Sequence, residues 1–332
     1  MKIGIPRALL FYNYYPLWKT FFENLGHEVV LSGPTNKKIL KDGVELTVDD
    51  ACLPVKLFHG HVKELLGKVD ALYVPRIVSV EPKKYICPKF LGLPDMIKSN
   101  IPDLPLMIDT KLDLYKRKSG MYEHFFQIGR ILNKNKLNII AAYIKAWKAY
   151  KNHAKRFSVD AQEALNNILN NYDLKNGINR VNDFKYAVLL LGHPYNLYDS
   201  FINMNLISKL SQNSVKVITP EMVPLRKILR GAANLPKDMF WTLGRNIIGC
   251  AYCHLEEEEI DGIIHVASFG CGPDSLVGEL LERMVIRKYK MPFLYLNLDE
   301  HAGEAGFNTR LEAFLDILEG RKDGENNLSA YG

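Results

Sequence analysis

The sequence predicts an α/β fold built as two parallel-sheet lobes with an intervening helical segment. Short apolar strands alternate with helical stretches along most of the chain. A Gly-x-Pro triplet closes the first strand of each half, Gly4-Ile5-Pro6 and Gly192-His193-Pro194, and a cysteine follows a later strand in each half, Cys87 and Cys271. Such alternation marks strand–helix–strand units of a parallel sheet, and its recurrence marks a weak internal repeat. At 332 residues the chain can bury two cores. The expected division is a first lobe over 1–110, a helical connecting segment over 111–182 and a second lobe with a C-terminal helix over 183–332.

In the first lobe, Lys2-Ile3-Gly4-Ile5-Pro6 opens the first strand. From Leu9 to Leu25 aromatic and aliphatic residues recur at helical spacing, and Gly26 suits a helix end. His27 to Ser32 is a second strand, followed by an irregular stretch. Asp49, Asp50 and Pro54 then mark a helix start with Cys52 at its amino terminus, a position that favours a thiolate. This helix carries His59-Gly60-His61 and runs to Gly67. Ala71 to Ser79 reads as one strand, followed by a loop with Cys87-Pro88-Lys89, and Pro105 to Asp109 closes the lobe. Beyond it, Ile128, Ile131 and Leu132, then Ile139, Ile140, Tyr143, Ile144 and Trp147, show helical spacing and predict helices that join or cover the lobes.

The second lobe opens with the apolar strand ending at Gly192-His193-Pro194-Tyr195-Asn196, then an aromatic-rich helix and the strand Val215 to Pro220. A helix from Phe240 to Cys253 precedes the strand Ile263 to Ser268. The turn Phe269-Gly270-Cys271-Gly272-Pro273-Asp274-Ser275 places a thiol at that strand's carboxyl end, the edge where open α/β sheets bind ligands. Pro292 to Leu298 is the last strand, with Asp299-Glu300-His301 at its end. The closing helix is expected from Thr309 to Leu318, with Thr309 as its cap and Glu312 as its capping-box partner.

Composition is that of an ordinary globular protein, 47% hydrophobic and 24% charged, with a net charge of +6. That balance mildly favours anionic ligands such as nucleotides or CoA thioesters. The positive charge is spread out and no nucleic-acid motif accompanies it, so no nucleic-acid partner is expected. The first residues read as a strand rather than a signal peptide, and no apolar run approaches membrane-spanning length. A cytoplasmic location is therefore expected. The five cysteines, an odd count, should be reduced thiols or metal ligands rather than disulfides.

Cys52, Cys87 and Cys271 are widely separated, each beside proline or glycine. This is an iron–sulfur pattern more than a zinc pattern, which shows close cysteine pairs. Three buried hydrophobic thiols are the alternative. Cys250 and Cys253 share a helix face and are either extra ligands, a redox pair or small packing residues. Asp299, Glu300 and His301 are candidate acid–base groups, or simply a polar turn. His59 and His61 either face cluster sulfur or fill the interior, and Arg7 and Arg76 either meet an anionic ligand or pair on the surface. No GxxxxGK[ST] loop is present, so ATP-driven chemistry by this chain alone is not expected.

Several motifs occur together and in order: Ile3-Gly4-Ile5-Pro6-Arg7, Cys52-Leu53-Pro54-Val55-Lys56 with Gly60-His61, and Pro75-Arg76 with Cys87-Pro88-Lys89. Gly192-His193-Pro194-Tyr195-Asn196 with Asp199, the Cys271 turn, and Asp299-Glu300-His301 with Gly303 to Gly306 and Thr309 to Phe314 complete the set. Together they resemble the activase-related branch (CoA protein activase, or domain of unknown function) of the 2-hydroxyacyl-CoA dehydratase superfamily, over nearly the whole chain outside 111–180. The resemblance implies two Rossmann-like lobes around a [4Fe-4S] cluster held by Cys52, Cys87 and Cys271. It also implies a separate ATP-dependent activator of actin-like fold as electron donor, in anaerobic metabolism. The related dehydratases act on an acyl-CoA through a ketyl radical, and relatives richer in cysteine carry a double cubane. Five cysteines favour a single cubane here. Cys250 and Cys253 depart from the family pattern. The expected activity is reduction or dehydration of a small substrate. Its alternatives are a non-catalytic electron relay or cluster scaffold, or an iron-free small-molecule-binding protein. A homo- or hetero-dimer is expected.

Overall fold

Apolar strands joined through helices leave no room for antiparallel hairpins, and each half of the chain closes a parallel sheet. The computed structural model describes residues 1–116, 119–158, 184–257 and 259–329, with side chains in the last helix as far as Arg321. The chain divides into two compact units, Met1–Lys175 with Met239–Arg245, and Asn176–Asp238 with Asn246–Gly332.

The first unit contains β1 (Lys2–Ile5), α1 (Phe11–Asn24), β2 (Glu28–Leu31), α2 (Lys37–Glu45), α3 (Leu53–Leu65), β3 (Ala71–Tyr73), β4 (Arg76–Ser79), α4 (Pro88–Asn100), β5 (Leu106–Ile108) and β6 (Lys111–Asp113). It continues with α5 (Gly120–Ile131) and α6 (Lys136–Phe157). The sheet order is β2-β1-β3-β5, all parallel. The second unit contains β7 (Tyr186–Gly192), α7 (Pro194–Leu197), α8 (Leu206–Gln212), β8 (Val215–Ile218), α9 (Leu225–Ala232) and, from Asn246 on, α10 (Thr242–Glu257). There follow β9 (Gly262–Ser268), α11 (Gly272–Glu282), β10 (Phe293–Leu298) and α12 (Glu304–Ser329). Its sheet order is β8-β7-β9-β10, again all parallel. Within each sheet, the strands run second, first, third, fourth in chain order. The predicted α/β class and parallel-sheet lobes are present, and the order reverses direction between β1 and β3 and between β7 and β9. Such switch points open a crevice at the strands' carboxyl ends.

Several local expectations change. The stretch after β2 forms α2, capped by Asn36, whose Oδ1 accepts from the amides of Lys38 and Ile39 at 2.9 and 3.1 Å. The single strand expected over 71–79 breaks at Val74-Pro75, because proline offers no amide to the ladder; β4 pairs instead with β6. Thr309 is not a cap: α12 begins at Glu304, and the Thr309 hydroxyl donates to Ala305 O within the helix. The expected connecting segment 111–182 lies partly outside the described residues, at 117, 118 and 159–182. Its described helices pack in the first unit, with Phe125 against Phe21 and Tyr150 stacked on Tyr14 at ring separations of 4.6 and 5.5 Å. Among the described residues no helix is long and apolar enough to cross a membrane.

A helix pair packs at closest range in each unit. A Cβ on Gly43 would lie 2.0 Å from Lys56 O, and one on Gly60 2.0 Å from Ile39 O, so α2 and α3 touch backbone to backbone. Gly231 and Gly249 do the same for α9 and α10, at 2.1 Å from Gly249 O and 2.2 Å from Ile228 O. The repeat suspected from the Gly-x-Pro triplets thus extends to how the helices cross.

Two histidines of the first unit are fully enclosed and neutral. His61 lies between Ser32 Oγ at 2.9 Å and Thr35 Oγ1 at 3.0 Å, and burial drives its pKa down to about 3, with the Arg7 charge adding to the effect. His124 lies between Tyr73 OH at 2.9 Å and Thr110 Oγ1 at 3.1 Å, and burial lowers it to about 4. Both folded values fall below the unfolded value of about 6.5. The unfolded chain therefore binds more protons between these limits, and stability is present above pH 6.5 and lost as pH falls towards 4 and then 3. Urea denaturation across this range should show about 1.4 kcal/mol lost per pH unit for each imidazole. His124→Gln should remove one imidazole's share of that slope. Gly60→Ala should destabilise the first unit by about 1–3 kcal/mol, since backbone cannot yield as a side chain can.

Candidate metal centre

The three cysteines singled out by sequence share one local setting. Cys52, Cys87 and Cys271 are the N-cap residues of α3, α4 and α11, and each helix has proline in its first turn. Proline's fixed φ starts a helix without wasting an amide, and the remaining unpaired amides and the helix dipole favour negative charge at the cap. Cys52 and Cys87 belong to the first unit and lie close enough for a Cys87 thiolate to raise the cost of ionising Cys52. Burial pushes the Cys52 thiol up, while the Val55 amide and the Lys89 charge pull it back. Cys87 is also raised by burial and opposed by Lys89, through amide and charge. Thiols desolvated but facing amides and a cation suit thiolate ligands to a cationic group. In donor type each of the three residues suits a thiolate ligand of an iron–sulfur cluster.

In the second unit, the Cys271 turn sits at the switch point between β7 and β9. Cys271 N–H donates to Ser268 O at 3.1 Å, and Gly270, third in the turn, has φ +75°. That position of a type II turn needs a residue free to enter the left-handed region. Across the crevice, β7 ends at Gly192 and His193 caps α7. Asn196 ties the two strand ends together, its Oδ1 accepting the Ser268 hydroxyl at 2.7 Å with both residues buried.

This arrangement brings three buried groups together. Donor atoms of His193, Cys271 and Asp274 all lie within 4.8 Å of one another, a set that can hold a metal ion. His193 Nε2 is 3.4 Å from Asp274 Oδ1, and His265 Nε2 approaches the same oxygen to 3.6 Å. Asp274 is fully buried, and its polar neighbours are His193, His265 and the Ser268 amide. Burial alone would raise its pKa, but the attraction of His193 and His265 outweighs it and holds the carboxyl below its ordinary range. Burial lowers the His193 pKa against the pull of Asp274, which eases loss of the proton that a metal ion would replace.

His193 and Asp274 stand within the sequence motifs without a chemical role assigned to them there, and His265 reads only as part of a strand. The available signals were a histidine inside an otherwise apolar strand and an acid one helical turn beyond a candidate ligand. The other candidates lie elsewhere. Asp299, Glu300 and His301 follow β10, where Asp299 Oδ1 accepts the His301 amide at 2.6 Å and His301 is exposed. The His193–Cys271–Asp274 group forms without them. Cys250 and Cys253 flank His254 Nδ1 at 3.9 and 3.4 Å. Burial pushes Cys250 well up and Cys253 to about 11, which favours neutral thiols packed in α10. His59 is satisfied by Val55 O and Asn100, and Arg76 forms a two-pronged pair with Asp95 at 2.5 and 2.8 Å.

Ser268→Ala should cost about 1–3 kcal/mol in urea denaturation, because it strands the buried Asn196 amide oxygen. Asn196→Ala with Ser268→Ala should cost less than the sum of the two single changes.

No curated protein was found to match the chain. A family model described as the CoA enzyme activase uncharacterised domain (DUF2229) matches residues 2–223, which include Cys52, Cys87 and His193 and end before Cys271. The match covers more than half of the chain, and the chain belongs to this CoA enzyme activase domain family.

Proposed function

We propose that the protein is an iron–sulfur component of the 2-hydroxyacyl-CoA dehydratase type, with Cys52, Cys87 and Cys271 as thiolate ligands of a [4Fe-4S] cluster. The observation that carries this reading is the shared setting of the three cysteines, each capping a helix whose first turn holds proline. Three cysteine ligands would leave one iron open to substrate or to a further ligand. When bound, the cluster supplies one-electron reduction at low potential. The chain's own residues do the rest: helix amino termini offset the thiolates' charge, and burial shields Cys52 and Cys271 from bulk water. Electrons come from a separate ATP-dependent activator, since this sequence carries no P-loop. The acceptor is a small substrate that is reduced or dehydrated. Ligand thiols need a reducing compartment, and the reading assigns the protein to the cytoplasm.

Anaerobic purification or reconstitution, followed by iron and sulfide analysis and EPR of the dithionite-reduced protein, tests this. About four irons and four sulfides per chain are expected, with a cubane signal lost or altered in Cys52→Ser, Cys87→Ser and Cys271→Ser. A chain that stays iron-free after anaerobic reconstitution would refute the reading.

A further inference from the structure

We propose that the second unit holds one divalent transition-metal ion, zinc or ferrous iron, on His193, Cys271 and Asp274, without help from Cys52 or Cys87. The site is distinct from a cluster and does not depend on the cluster reading. Because Cys271 is common to both, a chain would carry the single ion only when that thiolate is not committed to a cluster.

Geometry is the first support. A tetrahedral ion bound at about 2.0–2.3 Å places its ligand atoms roughly 3.3–3.8 Å apart. His193 Nε2 and Asp274 Oδ1 are 3.4 Å apart, and the Cys271 thiol completes a group within 4.8 Å. The three side chains come from the facing ends of β7 and β9, where a parallel sheet opens to a ligand.

Unmet electrostatic demand is the second. A carboxylate with no exposed surface, met only by two imidazoles and the Ser268 amide, is costly unless a cation compensates it. Two imidazoles lie beside Asp274, and a bound ion would answer the carboxylate directly. His193 Nδ1 has no hydrogen-bond partner among the described residues.

The donor set selects the ion. A thiolate, an imidazole and a carboxylate suit zinc or ferrous iron, and they disfavour magnesium and calcium, which take oxygen ligands. Three protein donors leave a coordination position for water or substrate. His265 lies 3.6 Å from Asp274 Oδ1, with the Tyr295 ring 5.3 Å from its own. It is a positioning residue that orients the carboxylate rather than a ligand.

The test uses the full-length chain freed of iron by a chelator and titrated with Co²⁺. One Co²⁺ per chain is expected, with a thiolate-to-cobalt charge-transfer band that Zn²⁺ abolishes by displacement. Cys271→Ser should remove the band, and Asp274→Asn and His193→Ala should each weaken binding at least about tenfold. His265→Gln should weaken it about 10–100-fold while the band keeps its thiolate character. Cys52→Ser and Cys87→Ser should bind as the parent does. Far-UV circular dichroism confirms that each variant is folded; if His193→Ala does not fold, Cys271→Ser and Asp274→Asn decide the question. Absence of a cobalt site, or a site that needs Cys52 or Cys87, overturns the proposal. Iron and sulfide analysis of the reconstituted chain is a separate readout, so a cluster without a cobalt site, or a cobalt site without a cluster, tells the two readings apart.

Discussion

The second unit is organised around a carboxylate that has left water. Asp274 sits in the first turn of α11, where the helix dipole welcomes negative charge, and two imidazoles approach one of its oxygens. Placing it there requires the Cys271 turn to leave β9 sharply and the β7 end to come close. The buried Asn196–Ser268 hydrogen bond joins those two strand ends. One charge in a low-dielectric crevice thus constrains the turn, the cap and the strand ends around it.

Both units meet the same constraint at the level of the backbone. A four-stranded parallel sheet with its switch between the first and third strands needs helices before the third strand that pack closely. Paired glycines at the α2–α3 and α9–α10 crossings bring those helices into backbone contact. Each unit then delivers a cysteine at the cap of the helix that follows its third strand, Cys87 in one and Cys271 in the other. The units differ in what surrounds that cysteine. The first sets Cys87 near Cys52 and Lys89, whereas the second sets Cys271 against His193 and Asp274.

The contrast among the five cysteines follows from their surroundings rather than their number. Those at helix caps meet amides at the positive end of a dipole. Cys250 and Cys253 lie inside α10, where the amides are already bonded within the helix and burial holds the thiols neutral.

Much of the fold was legible in the sequence because it is local. Alternating strands and helices, the Gly-x-Pro ends of β1 and β7, and cysteines beside helix-starting prolines all follow from short-range periodicity and capping. Family motifs added the order of these pieces. Other features escaped. The pairing of β4 with β6, once proline had ended β3, depended on a partner far along the chain. So did the meeting of His193 with Asp274, since residues on different strands become neighbours only once strand order and register are set. Periodicity specifies which face a side chain takes, not which strand lies beside it. The sequence alone therefore determined the elements and the caps, and the tertiary structure decided which buried charges share a crevice.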